Sequence, residues 1–149
     1  MKPGRRIGFD FGDVRIGVAV TDPSGLLATP LDFISNSQEI LESAISELIA
    51  EYEPIYVAIG YPIHLSGSES AKSENSKKFA NLISRFTQAP IYLIDERMTT
   101  ISASKTLREA GRDAKTSRTE IDSVAAAAIL DSALNQERLQ GTPMNRFVP

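Results

Sequence analysis

Residues 7–21, IGFDFGDVRIGVAVT, alternate apolar side chains with glycine, alanine and polar ones, and no other pattern in the chain constrains the fold as strongly. A period of two is typical of β-strands, whose side chains point to opposite faces in turn. A tight turn in the middle predicts a hairpin in which Asp10 lies opposite Gly17. Phe9 then faces Val18 on an apolar face, while the carboxylate shares its own face with small residues.

The rest of the chain alternates strand and helix patterns. Strands are predicted over 26–33, 55–59 and 91–94, and helices over 39–51, 69–86, 100–109 and 120–139. Asn36 or Ser37 is a candidate cap for the first helix. This order predicts an α/β sandwich with a mixed sheet.

The length of 149 residues predicts one domain, over 1–140. The segment 141–149 has two prolines and little periodicity, so we expect a flexible tail. No signal peptide or membrane span is recognisable, and we expect a cytoplasmic protein that does not bind membranes.

The residue inventory excludes several chemistries. There are no cysteines and a single histidine, His64, so thiolate sites, multi-histidine metal sites and most serine triads lack their parts. We interpret His64 as an ordinary loop residue, and no base is recognisable for Ser66 or Ser68. Carboxylates therefore remain as the main candidates for catalytic and metal-binding groups.

Asp10 is the most informative carboxylate. A carboxylate within a strand is costly to bury unless it is paired or binds a metal, and glycines nearby allow a ligand to approach. A structural ion pair with Arg5, Arg15 or Arg97 is the alternative.

Two further acidic positions are candidates. Asp95 and Glu96 follow the strand 91–94, at the edge of a parallel sheet where ligands bind, and only one of them should share the face of Asp10. They could instead cap the next helix. Asp122 precedes an alanine run that would let its helix lie close to the sheet, although Thr119 and Asp122 also resemble a capping box.

Converging carboxylates favour a hard divalent cation. Mg²⁺ or Mn²⁺ prefers oxygen ligands, and two such ions about 3.5–4 Å apart can stabilise both the attacking and the leaving oxygen in phosphodiester hydrolysis. The segment 97–118 has six basic and two acidic side chains, in a chain of net charge −3. It is either a solvated surface or a contact for the nucleic-acid backbone, and we favour the second. The basic candidates are Arg15, Arg97, Lys105, Arg108, Arg112, Lys115 and Arg118.

Four segments, GFDFGDVRIGVAVTD, IGYPIHLSGSES, IDERMTT and IDSVAAAAIL, together resemble the signatures of the YqgF family, in that family's order, between residues 7 and 131. Its members are described as pre-16S ribosomal RNA nucleases and as Holliday junction resolvases. The resemblance implies a ribonuclease H-like fold, here a three-layer sandwich with helices on both faces.

The same resemblance implies a two-metal-ion nuclease that processes precursor 16S rRNA. The catalytic residues would be Asp10, Glu96 and Asp122, with Asp95 as a further candidate metal ligand and Glu96 favoured over it. The glycines that would allow close backbone approach are Gly12, Gly17, Gly60 and Gly67.

Two alternatives to rRNA processing stay open. Cleavage of four-way DNA junctions uses the same chemistry. A non-catalytic protein that binds RNA or nucleotide would belong to another class, since Phe9 to Gly12 also resembles the phosphate loop of actin-like ATPases, although the chain is too short for their second lobe.

Overall fold

The computed structural model describes residues 1–62, 71–96 and 114–149, with the backbone alone described for 114–122. The strands in these residues are β1 Arg6–Asp10, β2 Arg15–Thr21, β3 Ala28–Ser35, β4 Tyr56–Tyr61, β5 Ile91–Asp95 and β6 Arg146–Phe147. The helices are α1 Leu41–Tyr52, α2 Ala71–Ile83 and α3 Ala114–Gln140. None of these helices combines the length and the apolar character needed to cross a bilayer.

The described strands form one mixed sheet in the order β3-β2-β1-β4-β5-β6. β1 pairs with β2 in antiparallel fashion and with β4 in parallel, and β5 continues the parallel part. Asp10 lies opposite Gly17 and Phe9 lies opposite Val18, which confirms the predicted hairpin and its register. The predicted α/β sandwich is also confirmed.

The two faces of the sheet are covered by different layers. Ile7, Phe9 and Val18 belong to an apolar cluster with α1 and α2. Ala58 and Ala19 belong to a second cluster with α3. A β-carbon at Gly8 would lie 2.9 Å from the carbonyl oxygen of Ala126, so the glycine lets α3 lie directly on the sheet. The period-two pattern therefore separates the layers as predicted.

A buried ionic network fixes the C-terminal part of α3 to the start of β1. The Arg6 guanidinium donates to both carboxylate oxygens of Glu137, at 3.2 and 2.8 Å, and Tyr56 donates its hydroxyl hydrogen to the same carboxylate at 3.0 Å. Arg6 is fully buried and Glu137 is 5% exposed. Burial, followed by the charge of Glu137, raises the pKa of Tyr56. The network aligns α3 along β1.

Both helix starts that the sequence predicted from caps are wrong. α1 begins at Leu41 and has no side-chain cap. The Asn36 side chain is directed to the Gly12 carbonyl oxygen, to which its NH₂ group donates at 2.8 Å, and Ser37 accepts from the Leu41 N–H at 2.8 Å through its backbone oxygen only. α3 begins at Ala114 rather than near residue 120, so Thr119 is no cap and Asp122 lies within the helix. The predicted helix over 100–109 falls outside the described residues.

The C-terminal segment differs from the flexible tail that its composition predicts. Arg146 and Phe147 form β6, which pairs antiparallel with the edge of β5. Asn145 adopts a positive φ of 65°, and its carbonyl oxygen accepts a hydrogen bond from the Leu93 amide at 3.0 Å. Composition missed this strand because its stability comes from an unpaired edge distant in sequence.

Candidate active site

A cleft of about 210 Å³ opens where β1, β4 and β5 end, at the edge of the sheet where α/β proteins bind ligands. Its walls come from the end of β1 and the following loop, from the end of β4, from α2 and from the residue after β5. The lining residues are Asp10, Phe11, Gly12, Asp13, Pro62, Lys72, Asn75 and Glu96.

Two of the predicted carboxylates meet in this cleft. Asp10 ends β1, Glu96 directly follows β5, and their side chains are in hydrogen-bond contact. Burial raises the pKa of Glu96, while the contact with Asp10 and the charge of Lys72 oppose the rise and the charge of Asp95 adds to it. Two carboxyl groups in contact either share a proton, so that only one is ionised, or both stay ionised with a cation between them.

The absence of a side chain at Gly60 makes room for Glu96. Gly60 is in β4, between the strands that carry the two acids. A β-carbon there would collide with the Glu96 carboxylate and would lie 2.6 Å from the Cδ1 atom of Ile129 on α3. Gly60 was predicted to allow close approach of backbone, and in the structure the group that lies against it is a carboxylate.

The loop after β1 is held tightly beside Asp10. A β-carbon at Gly12 would collide with the Arg15 carbonyl oxygen, so the turn excludes other residue types without rearrangement. Asn36 closes the loop with two hydrogen bonds. Its side-chain NH₂ group donates to the Gly12 carbonyl oxygen, and its backbone N–H donates to the Val14 carbonyl oxygen at 2.9 Å. These bonds hold the loop that follows Asp10 in one conformation.

Asp95 and Asp122 have different relationships to this pair. Asp95 is the last residue of β5. It alternates with Ile91 and Leu93, so it lies on the same face of the sheet as they do, the face covered by α1 and α2. Glu96, the next residue, lies on the other face, which α3 covers. Asp122 is one helical turn before Ala126, whose carbonyl lies over Gly8. The four residues from Asp122 to Ala126 rise about 6 Å, close to the length of two strand residues. Because α3 runs antiparallel to β1, with Glu137 beside Arg6, the backbone of Asp122 comes to about the level of Asp10.

The other predicted site residues are placed in part. Gly17 is buried opposite Asp10, and Arg15 begins β2 with its guanidinium 5.5 Å from the centre of the Phe33 ring. The backbones of Lys115 and Arg118 lie in the first turns of α3. The remaining predicted residues lie outside the described part of the chain, namely His64, Ser66, Gly67, Ser68, Arg97, Lys105, Arg108 and Arg112.

On the α2 side of the cleft, two lining residues, Lys72 and Asn75, were not among the predicted site residues. Both lie on α2, Asn75 one helical turn and Lys72 two turns before the buried Phe79. The helical period puts all three on one side of the helix, so their position was available from the sequence.

The oxygen donors of the cleft fit a hard divalent cation. Asp10 and Glu96 supply carboxylate oxygens in contact, and a cation between them would remove the repulsion that burial intensifies. Among the side chains that the structure describes, which do not include that of Asp122, no group of three acidic or histidine residues has the geometry of a metal site.

The sheet order, the two helical layers and the acidic cleft define a ribonuclease H-like α/β protein. Two solved structures share this fold. The RuvC of Thermus thermophilus in complex with a Holliday junction substrate superposes with a TM-score of 0.60 at 16% identity, over 94% of this chain and 98% of that one. A second Thermus thermophilus RuvC structure gives a TM-score of 0.56 at 16% identity, over 93% and 98%.

The family follows from the sequence. The model of the RuvX family, described as Holliday junction resolvase, matches residues 4–136, and the chain belongs to that family. Relatives named "Putative pre-16S rRNA nuclease" include that of Streptomyces coelicolor, 41% identical over 96% of this chain and 87% of the relative. Those of Streptomyces avermitilis and Mycolicibacterium smegmatis are 42% and 41% identical, over 95% and 91% of this chain and 92% and 82% of the relatives.

Proposed function

We propose that this protein is a divalent-metal-dependent nuclease that hydrolyses phosphodiester bonds in precursor 16S rRNA. The contact between Asp10 and Glu96 at the end of the sheet is the observation that carries the proposal. Such a pair is costly to hold without a cation and gives the cleft the ligands that a hard cation needs. The relatives named for pre-16S rRNA support this substrate, which would place the protein in the cytoplasm.

The cation would be held by Asp10, Glu96 and Asp122, with Glu96 rather than Asp95 as the ligand after β5. The opposite faces of Asp95 and Glu96 support that choice, and the register of α3 over β1 supports Asp122. When bound, one or two Mg²⁺ or Mn²⁺ ions would stabilise the charge on the attacking and leaving oxygens of the phosphodiester.

The chain itself contributes binding and orientation. Gly60 lets Glu96 lie against β4, and the loop at Gly12 fixes the end of β1, so the acids are held in position before substrate arrives. The basic segment 97–118 and Arg15 would contact phosphates on either side of the cut without reading sequence.

Cleavage of four-way DNA junctions is the second candidate. The description of the family and the junction bound to the Thermus thermophilus RuvC favour it. The carboxylate chemistry is the same for both substrates, so the choice depends on the surface that binds the nucleic acid.

Parallel cleavage assays test the proposal. Purified protein is incubated with precursor 16S rRNA and with a synthetic four-way DNA junction, each with Mg²⁺, with Mn²⁺ and with EDTA. We expect metal-dependent cleavage of the RNA that Asp10→Asn and Glu96→Gln abolish and Asp95→Asn retains. Asp32→Asn, an exposed change on β3 outside the cleft, is the control.

Each outcome of the assays has a defined meaning. Cleavage of the junction alone would replace rRNA by DNA as the substrate. Full activity in the Asp10→Asn protein, with its fold intact by circular dichroism, would refute the carboxylate mechanism.

A further inference from the structure

Lys72 lines the same cleft as the two carboxylates, from α2 rather than from the ends of the strands. It lies on α2, its side chain is solvent-accessible, and its positive charge acts on Glu96. The other charged residues that line the cleft within the described part of the chain are Asp10, Asp13 and Glu96. The cleft therefore has an acidic wall at the ends of the strands and an ammonium group on its α2 wall.

The position of Lys72 is fixed by its neighbours in α2. The Ser73 hydroxyl donates a hydrogen bond to the Pro62 carbonyl oxygen, which attaches this part of the helix to the end of β4. Two turns further on, the Phe79 ring packs edge-on against Phe9, with centroids 5.3 Å apart, and lies 5.1 Å from Phe11. Phe9 and Phe11 flank Asp10, so the same packing sets both walls of the cleft.

A phosphodiester entering this cleft needs a donor on the side away from the acids. The acidic wall repels its negative charge, and bound cations would offset the repulsion only on that wall. A lysine ammonium is a strong phosphate ligand with three hydrogen-bond donors, and an asparagine amide adds two more. Asn75, one turn from Lys72 and half-buried in the same wall, supplies such an amide.

We propose that Lys72, assisted by Asn75, binds a backbone phosphate of the nucleic acid on the α2 side of the cleft, next to the phosphodiester that is cut. Lys72 is then a positioning residue, which raises affinity and orients the strand against the carboxylates. The inference rests on the proposed nuclease function, because it assumes a nucleic-acid strand in this cleft.

Binding measured without cleavage tests the role directly. Fluorescence anisotropy follows a labelled precursor 16S rRNA fragment binding to the Asp10→Asn protein, with Ca²⁺ present, across a series of salt concentrations. Adding Lys72→Ala should weaken binding about tenfold at low salt and reduce the slope of log affinity against log salt by about one. Lys72→Arg should restore most of the affinity. Lys78→Ala, an exposed change on the same helix outside the cleft, should leave the slope unchanged.

Kinetics in the otherwise native protein separate phosphate binding from an indirect effect through Glu96. Lys72→Ala should raise KM for the RNA at saturating Mg²⁺, and any change in the Mg²⁺ concentration that gives half-maximal activity, through the lost charge near Glu96, should be the smaller effect. A changed Mg²⁺ requirement with an unchanged salt slope would overturn the inference, because Lys72 would then act only on the carboxylates. Equal slopes for Lys72→Ala and Lys78→Ala would overturn it as well.

The nuclease proposal can fail separately. If the unmutated protein cleaves neither RNA nor junction DNA with either metal, the nuclease proposal is wrong whatever the salt slopes are. If it cleaves RNA and Lys72→Ala changes neither KM nor the slope, the role of Lys72 alone is wrong.

Discussion

The carboxylate of Glu96 occupies the space that a β-carbon at Gly60 would need. Gly60 lies in β4, which separates β1 from β5, so its missing side chain lets an acid from one side of this strand reach Asp10 on the other. The same space is bounded by Ile129 of α3. One glycine thus links the packing of the helix to the geometry of the acidic pair.

Gly60→Ala should therefore impair the candidate site more than the fold. Displacement of Glu96 should raise the Mg²⁺ concentration needed for cleavage by about 10–100-fold, as loss of a supporting residue does in other metal sites. The overpacking should lower the free energy of unfolding by about 1–3 kcal/mol. Metal titration of RNA cleavage and urea unfolding measure the two effects.

Gly4→Ala is the control for that substitution. Gly4 lies outside the cleft at a positive φ of 141°, and its β-carbon would collide with the Ile55 side chain, without contacting a carboxylate or α3. It should lower stability and leave the Mg²⁺ requirement unchanged. Equal metal requirements for the two variants would contradict the role given to Gly60.

The stability of the metal-free protein should depend on pH through the acidic pair. Burial raises the pKa of Glu96 above its ordinary value of 4.5, so the folded state holds a proton that the unfolded chain releases. That contribution to stability is fully present below pH 4.5 and is lost as pH rises through the raised pKa. Urea unfolding in EDTA at several pH values should show this fall in the native sequence.

Two changes should remove the pH-dependent fall. Glu96→Gln carries no ionisable group and should show a flatter profile over the same range, and Mg²⁺ should restore stability to the native sequence above pH 4.5. A profile of Glu96→Gln identical to that of the native sequence would show that another group titrates there.

The buried pair between Arg6 and Glu137 should be far more important for stability than an exposed pair. Glu137→Ala leaves the fully buried Arg6 without its carboxylate and should cost about 3–5 kcal/mol of unfolding free energy. Glu42→Ala, which breaks the exposed pair with Arg85, should cost less than about 1 kcal/mol. Similar losses in the two variants, by urea unfolding, would argue against this difference in burial.

Removal of residues 145–149 should destabilise the edge of the sheet. The truncation deletes β6 and the Asn145 carbonyl that accepts from the Leu93 amide, a loss of about 1–3 kcal/mol, and it uncovers the backbone of β5. Thermal unfolding and light scattering should show a lower Tm and more aggregation. A variant with Val148→Ser alone, which alters an exposed side chain, should behave like the full chain.

The sequence by itself determined the hairpin, its register and the division of the sheet into two faces. Alternation along 7–21 sets which side chains share a face, because successive residues of a strand point in opposite directions whatever surrounds them. Asp10 could be recognised for the same reason, as a carboxylate among glycines on the polar face. The two caps were misjudged because side chains such as Asn36 can bond locally or across a loop, and the pattern does not say which.

Only the tertiary structure decided which acid contacts Asp10, that Lys72 lines the same cleft, and that the C-terminal segment pairs with the edge of the sheet. Glu96 lies on the face of α3 because β5 aligns in parallel with β4, and Lys72 reaches the cleft because Phe79 packs against β1. The partnership of Arg6 with Glu137, and of β6 with β5, joins segments distant along the chain. Such contacts depend on how whole layers pack, and local periodicity carries no information about them.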